Sequence, residues 1–461
     1  MAELRLKEVA AATAGTILAG DPGLSFRAYG LDSREIAAGA LFFAVRGARD
    51  GHDFIPDAAA RGAAGAVVSR EVAPPRPGFG LIRVADTVQA LQGLARSVLA
   101  GRRVRVVGIT GSTGKTTTKE FAAALLRARF RVRKSEGNLN NHLGLPLSLL
   151  RLEPQDEVAV LEMGMSAAGE IRVLTAIAPP DVAVITNIHP VHLEFFADIE
   201  AIALAKKEIL DGARPDGIAV LNADDPWVQK IAAGWRGRRV TFGLGAAGDV
   251  RAAGVRTRGY EGLSFELHYG RDKARLDLAF LSESFLQDFL AAAAVARALG
   301  LGLEDVRARA AGLAPLAMRG ILIRLAGGVH LLDDSYNSNP KALEDALRHF
   351  VRLPAKRKVA VLADMLELGP EAAEFHRQAG RLVARLGWDL LVAVGPLARE
   401  MAAAAAAEGM LAASILSFPD ADAAAEAVLG LVRDGDLVLV KGSRGMKTEQ
   451  VVARLKSGRK E

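Results

Sequence analysis

The sequence predicts an α/β protein of three domains, and three observations predict it: the chain length, a repeated pattern of short apolar strands that end in polar clusters, and a glycine-rich loop after one of those strands. At 461 residues the chain is too long for one compact core, because a domain holds about 150 residues. The expected divisions are a small α/β N-terminal domain over 1–99, a central phosphate-loop domain over 100–313 with a mostly parallel sheet and helices, and a Rossmann-like α/β domain over 314–461.

In the first part, apolar strands at Ala40–Val45 and Ala66–Val68 alternate with helical stretches, and Pro74, Pro75 and Pro77 mark a loop. In the second, strands at Val104–Thr110, Val158–Glu162, Val182–Asn187 and Ile218–Asn222 are joined by helices. Strands apolar on both faces belong to a parallel sheet, with ligands at its carboxyl ends. Val240 to Phe280 reads as antiparallel strands, and an Ala-rich helix is expected from about Phe289 to Leu299. After a break near Gly312–Pro315, strands at Val329–Asp333, Lys358–Ala363, Leu390–Val394 and Leu437–Lys441 form the third set. The Ala402–Ala407 run reads as a surface helix.

Composition excludes several classes. Half the residues are hydrophobic, which rules out a disordered or collagen-like chain. The chain has no Cys, so disulfides, thiol nucleophiles and Cys-ligated metals are out. The net charge of +6 is spread along the chain with few aromatics, so no nucleic-acid partner is expected. No apolar run reaches the roughly 20 residues of a membrane helix, so no membrane insertion is expected. Leu6, Val9, Ala10 and Ala14 repeat at helical spacing, which reads as an amphipathic first helix of a cytoplasmic protein. A monomer is expected.

The densest chemical signal is Gly111-Ser112-Thr113-Gly114-Lys115-Thr116-Thr117, between a buried strand and a helix. Such a loop closes backbone N–H groups around phosphate oxygens, its Lys supplies charge to the outer phosphates, and its Thr hydroxyl can ligate Mg²⁺. The usual spacing needs Gly where Ile109 stands, so this is a shortened variant. Glu162, at the end of the next strand, is a plausible Mg²⁺ ligand or a solvated strand-end carboxylate. Asn187, His189 and His192 follow a further strand. Lys206 and Lys207, read alone, are a solvent face. Asn138, Asn140 and Asn141 offer amide donors to a carboxylate or phosphate, or build a turn. Asp334, Tyr336, Asn337 and Asn339 lie where a strand passes into a helix, and Asn or Asp there also serves as a cap. Lys441, Ser443 and Arg444 end the last strand as a second anion site, and Arg319 follows the break.

Taken in order, Leu31-Asp32-Ser33-Arg34, the phosphate loop, the Asn-rich loop, Glu162, the His192 loop, Asp334-Ser335-Tyr336-Asn337, Asp364-Met365-Leu366-Glu367-Leu368-Gly369 and Lys441-Gly442-Ser443-Arg444 resemble the Mur ligases of peptidoglycan synthesis. The last three segments resemble the branch that joins D-alanyl-D-alanine to a UDP-N-acetylmuramoyl-tripeptide. The resemblance implies ATP as co-substrate and an acyl-phosphate mechanism. It gives phosphate contacts to Lys115 and its loop, Mg²⁺ to Thr116 and Glu162, and a second Mg²⁺ to His192. Lys206 matches the family lysine that is carbamylated, with Lys207 next to it. Lys115, Lys206 and His192 then carry the catalysis, and Asn187, Arg319, Asp334, Tyr336, Asn337 and Asn339 join the loop in binding ATP. Asp32, Ser33 and Arg34 bind the uridine end, and Asn138, Asn140, Asn141, Lys441, Ser443 and Arg444 face the other substrate groups. Two departures stand out: Ser284, Phe285 and Asp288 replace the usual His and Asn residues of the adenosine pocket, and Ala363 replaces a Gly. A sibling that adds the third stem residue, a folylpolyglutamate synthase and a phosphate-loop switch that forms no bond are the alternatives.

Overall fold

The computed structural model describes residues 3–191, 193–245 and 247–459. His192 therefore lies outside the described residues, and with it the residue expected to help hold a second Mg²⁺.

Three main sheets follow one another along the chain. The first is five-stranded, in the order Thr16–Ala19, Gly80–Arg83, Gly65–Val68, Leu41–Phe43, Tyr29–Gly30, parallel except for its first edge strand. The central sheet has nine strands. From one edge these are Asp272–Leu278, Leu263–Tyr269, Val250–Thr257, Arg238–Gly243, Ile218–Asn222, Val182–Ile185, Arg105–Thr110, Val158–Glu162 and Val132–Lys134. The third has six strands in the order Ile321–Leu325, Val329–Asp334, Asp436–Lys441, Arg357–Ala363, Leu390–Val394, Ile415–Phe418, all parallel but the first.

Arg105–Thr110 lies between Val182–Ile185 and Val158–Glu162, in register with both. The chain order of strands reverses around it, which makes its carboxyl end the crevice where open α/β sheets bind ligands. Its residues from Val106 to Thr110 are all buried because helices cover both faces, which is why the strand reads as an unbroken apolar run.

Three expectations need correction. Val250–Thr257 pairs parallel, not antiparallel, with Arg238–Gly243 over two residues, and antiparallel pairing begins only with the next strand. Asp249 makes this short crossover possible by accepting the N–H and hydroxyl of Thr241, while Asp224 accepts the N–H groups of Leu244 and Gly245. The Ala-rich helix runs over Glu283–Ala298, starting about two turns earlier than periodicity suggests, because its apolar pattern covers nearly its whole circumference and hides the start. The Ala run lies on the helix Ala398–Ala407, which is not just a surface helix: Met401, Ala404 and Ala405 are buried. It packs so closely on the helix Ala372–Arg385 that a Cβ on Gly380 would stand 2.0 Å from the Met401 carbonyl oxygen, so small residues are required there.

The parts are joined by shared cores. Helix Thr87–Ala100, which ends the first part, puts Leu91 and Leu94 into one apolar cluster with Leu145 and Leu149 of the central helix Gly144–Leu150. Each such leucine stabilises the junction by roughly 1.5–3 kcal/mol. Between the central and third parts, Leu281 enters the third core, and Tyr260 stacks on His330 with ring centroids 3.9 Å apart.

Candidate active site

A cleft of about 890 Å³ opens between the carboxyl ends of the central and third sheets. From the central part it is lined by Ser112–Thr117, Asn138, Asn140, Asn141, Glu162 and Asn187. From the third it is lined by Arg319, Asp334, Tyr336, Asn337, Asn339 and Lys441.

The phosphate loop is shaped by its neighbours. Gly114 takes φ +77°, and a Cβ there would lie 2.0 Å from Asp288 Oδ1, so both the backbone angle and the space demand glycine. Asn187 braces the loop: its Oδ1 accepts from the Thr113 N–H at 2.9 Å and its amide donates to the Thr113 carbonyl. Ser112 likewise donates to the His189 carbonyl and accepts from the His189 N–H. Lys115 folds back, donating to the Gly111 carbonyl at 2.8 Å, and burial holds its pKa below the ordinary lysine value.

Beside the loop, the Thr116 hydroxyl donates to Glu162 Oε2 at 2.8 Å, and the Asn140 amide donates to Oε1 at 2.9 Å. Glu162 is 3% exposed. An alcohol oxygen against a buried carboxylate is the hard oxygen donor set that Mg²⁺ takes, so these residues fit that ion. Among the described residues no cluster of three or more His, Asp or Glu forms a closed metal cage.

From the third sheet, Arg319 reaches across to donate to Thr116 Oγ1 at 3.3 Å, its guanidinium 3.9 Å above the Tyr336 ring. Lys441 Nζ donates to Asp334 Oδ2 at 2.6 Å and to the Asn337 carbonyl. Burial, partly offset by Lys441, raises the Asp334 pKa. Asn339 caps the helix Pro340–Phe350 through the Ala342 N–H.

Lys206 is buried at 2% exposure, on the helix Ile199–Asp211, and among the described residues it forms no hydrogen bond or ion pair. Burial, with repulsion from Lys115, holds its pKa well below the ordinary value. Lys207 points outward and pairs with Asp211.

Some expected residues take up other positions. Gly111 and Lys206 are not among the residues that line the cleft. Ser443 is buried, its hydroxyl donating to the Ser338 carbonyl and accepting from the Leu366 N–H, so it braces the loops around the cleft. Arg444 pairs with Glu449 outside the cleft, 5.8 Å from the Tyr336 ring. The side-chain oxygen of Asn141 accepts from the N–H groups of Leu143 and Gly144, starting the next helix. Asp32 and Arg34 form an exposed ion pair in the first part, away from this cleft, and the Arg34 hydrogen bonds hold the Asp32 carboxyl down to about 2. The expected adenosine positions also differ in kind: Phe285 is buried against Phe280, and Asp288 is buried behind Gly114, where desolvation raises its pKa well above the usual carboxylate range.

Sequence reasoning missed other residues of the site. Asn222, Asp224, Asp225 and Trp227 line the cleft, and Lys119 is fully buried beneath it. The strand end at Asn222 was a signal for the first group. For Lys119 the signal was its spacing four residues after Lys115, which puts both on one helix face.

Fold and site together define a phosphate-loop nucleotide-binding protein whose cleft is lined on its far side by a second α/β unit. Family models match in three stretches: the Mur ligase family catalytic domain over 25–98, the Mur ligase middle domain over 109–296, and the Mur ligase glutamate ligase domain over 318–444. The chain belongs to the Mur ligase family. It is 36% identical over 92% of each chain to the UDP-N-acetylmuramoyl-tripeptide–D-alanyl-D-alanine ligase of Bacillus subtilis. A crystal structure of MurF from Acinetobacter baumannii superposes with a TM-score of 0.90 at 30% identity over 99% of both chains. MurF from Thermotoga maritima in complex with ADP does so with 0.82 at 32% identity, covering 94% of this chain and 97% of that one.

Proposed function

We infer that this protein is an ATP-dependent amide ligase that adds D-alanyl-D-alanine to UDP-N-acetylmuramoyl-tripeptide in peptidoglycan precursor synthesis. The observation that carries this reading is the convergence of a phosphate loop and a cationic strand end on one cleft, in a chain similar throughout its length to ligases of that name. ATP is the energy source: its γ-phosphoryl passes to the terminal carboxylate of the tripeptide. The dipeptide amine attacks the resulting acyl phosphate, giving a tetrahedral intermediate that expels phosphate as the amide forms.

The side chains supply position and charge rather than covalent chemistry. Lys115, freed from the Gly111 carbonyl, meets the outer phosphates. Thr116 and Glu162 would hold Mg²⁺, which supplies charge neutralisation at the phosphates. Asn138 and the Asn140 amide face the tripeptide carboxylate, and Arg319 and Lys441 approach from the third part to balance the charge on the transferring group. Asp32, Ser33 and Arg34 hold the uridine end in the first part.

Lys206 is the carbamylated residue in this reading. Its burial and the lack of a carboxylate partner among the described residues favour the neutral amine that CO₂ requires, and a carbamate there would turn a cation site into an anion. Lys207, half-buried and paired with Asp211, lacks both features. Among the described residues no helix is long and apolar enough to cross a membrane. The protein works in the cytoplasm, where its nucleotide substrates are. ADP release that depends on both substrates tests the assignment.

A further inference from the structure

Among the described residues, Lys119 is the one fully buried lysine that the mechanism above leaves without a task. Its side chain is 0% exposed, on the helix Lys115–Leu126 directly behind the phosphate loop. Its ammonium donates to the Gly137 carbonyl at 3.2 Å and lies 3.5 Å from Glu120 Oε1 and 4.0 Å from Glu162 Oε2. Glu120 is itself paired with Lys134.

These contacts come from three different segments. Gly137 immediately precedes Asn138, and Asn140 donates to the second oxygen of Glu162. The Glu162 backbone N–H is in turn held by Ser135 Oγ at 3.1 Å. Asn140 and Lys119 thus tie the Asn-rich loop to the Glu162 carboxylate, Ser135 holds the Glu162 backbone, and Lys119 brings the positive charge to this junction. A fully desolvated ammonium is costly, and an apolar side chain would fill the same space at lower cost. What an apolar side chain lacks is a donor for the Gly137 carbonyl and a counter-charge for Glu162.

We propose that Lys119 is a positioning residue that joins the Asn138–Asn141 loop to Glu162, so that the carboxylate-binding amides and the magnesium-binding carboxylate keep one register. The inference rests on the function proposed above. Lys119 touches no substrate; it acts through Gly137 and Glu162.

The test uses the full-length protein with Lys119→Met, which keeps length and apolar volume, and Lys119→Arg, which keeps the charge. Three quantities are read: hydrogen exchange of residues 135–143, calorimetric affinity for ADP with and without Mg²⁺, and KM for each substrate. In Lys119→Met the loop should exchange faster. The Mg²⁺-dependent gain in ADP affinity should fall by about 10-fold or more, as when an outer partner of a metal ligand is lost. KM for the UDP-linked substrate should rise while KM for D-alanyl-D-alanine stays near the parent value, and Lys119→Arg should recover part of each change. If loop exchange and the Mg²⁺-dependent gain are unchanged in Lys119→Met, or all parameters fall together with the melting temperature, the proposal is wrong. If the parent protein itself fails to couple ADP release to both substrates, the function reading fails instead, while the exchange and ADP measurements still decide the role of Lys119.

Discussion

The Thr116 hydroxyl donates to Glu162 Oε2 at 2.8 Å while its oxygen accepts from Arg319 at 3.3 Å, so one hydroxyl joins the phosphate loop, a neighbouring strand end and the third part of the molecule. Lys115 lies next to this junction, folded onto the Gly111 carbonyl. Lys115→Ala should reduce substrate-dependent ADP release by about 10²–10³-fold, the range for removing one preorganised charge-stabilising group. Steady-state rates of the purified variant check this, and near-normal turnover would take Lys115 out of the mechanism.

Lys206 gives a spectroscopic prediction. With ¹³C-labelled bicarbonate the parent protein should show a carbamate carbon resonance that is absent in Lys206→Ala and kept in Lys207→Ala. Short carboxylic acids should partly restore turnover to Lys206→Ala by replacing the lost anion. A resonance that vanishes in Lys207→Ala instead would move the modification by one residue.

His376 sets a pH dependence of stability. Its Nε2 accepts the Met365 N–H at 2.9 Å and its Nδ1 bonds the Ala372 carbonyl at 2.6 Å, so it is held neutral. Burial lowers its folded pKa below the ordinary 6.5. The unfolded chain therefore binds the proton first, and the stability this site contributes is complete above 6.5 and is lost as the pH falls below it. His189 and His330, also held below their ordinary value by burial, act with the same sign. The melting temperature should fall on acidification through this range, and His376→Gln should flatten the fall. A slope unchanged in His376→Gln would refute the assignment.

Tyr260 couples the central and third parts. Its hydroxyl donates to the Pro354 carbonyl at 2.6 Å, its ring covers His330, and burial pushes its pKa up to about 12. The bond is worth about 1 kcal/mol and the stack roughly 0.5–1.5 kcal/mol. Tyr260→Ala should broaden the range of orientations of the third part, seen as a larger radius of gyration in solution scattering, and Tyr260→Phe should do so less. Arg319 and Lys441 must approach the transferring group from the third part, so kcat should fall with it.

Much of this was legible in the sequence, for identifiable reasons. Arg105–Thr110, Val158–Glu162 and Ile218–Asn222 are buried on both faces, so their apolar runs mark both the strands and the polar residues that end them. The phosphate loop is encoded locally, by glycines and a lysine within seven residues. Lys119 could be found only through its spacing from Lys115, and Asp288 only through the resemblance, because their surroundings come from segments far apart in the chain. Lys206 reads as a surface lysine from its neighbours Lys207 and Glu208, and only tertiary packing buries it. Asn187 and Ser443 carry polar side chains at strand ends, as ligand-binding groups do, yet they are used to brace loops; composition cannot separate those two uses.

The most direct test of the central claim is ADP release by the purified protein with a panel of acceptors and amines. The account predicts release only when ATP, UDP-N-acetylmuramoyl-tripeptide and D-alanyl-D-alanine are all present, with one new amide per ADP. ADP formed regardless of either substrate, or formed with a single free amino acid in place of the dipeptide, would contradict it.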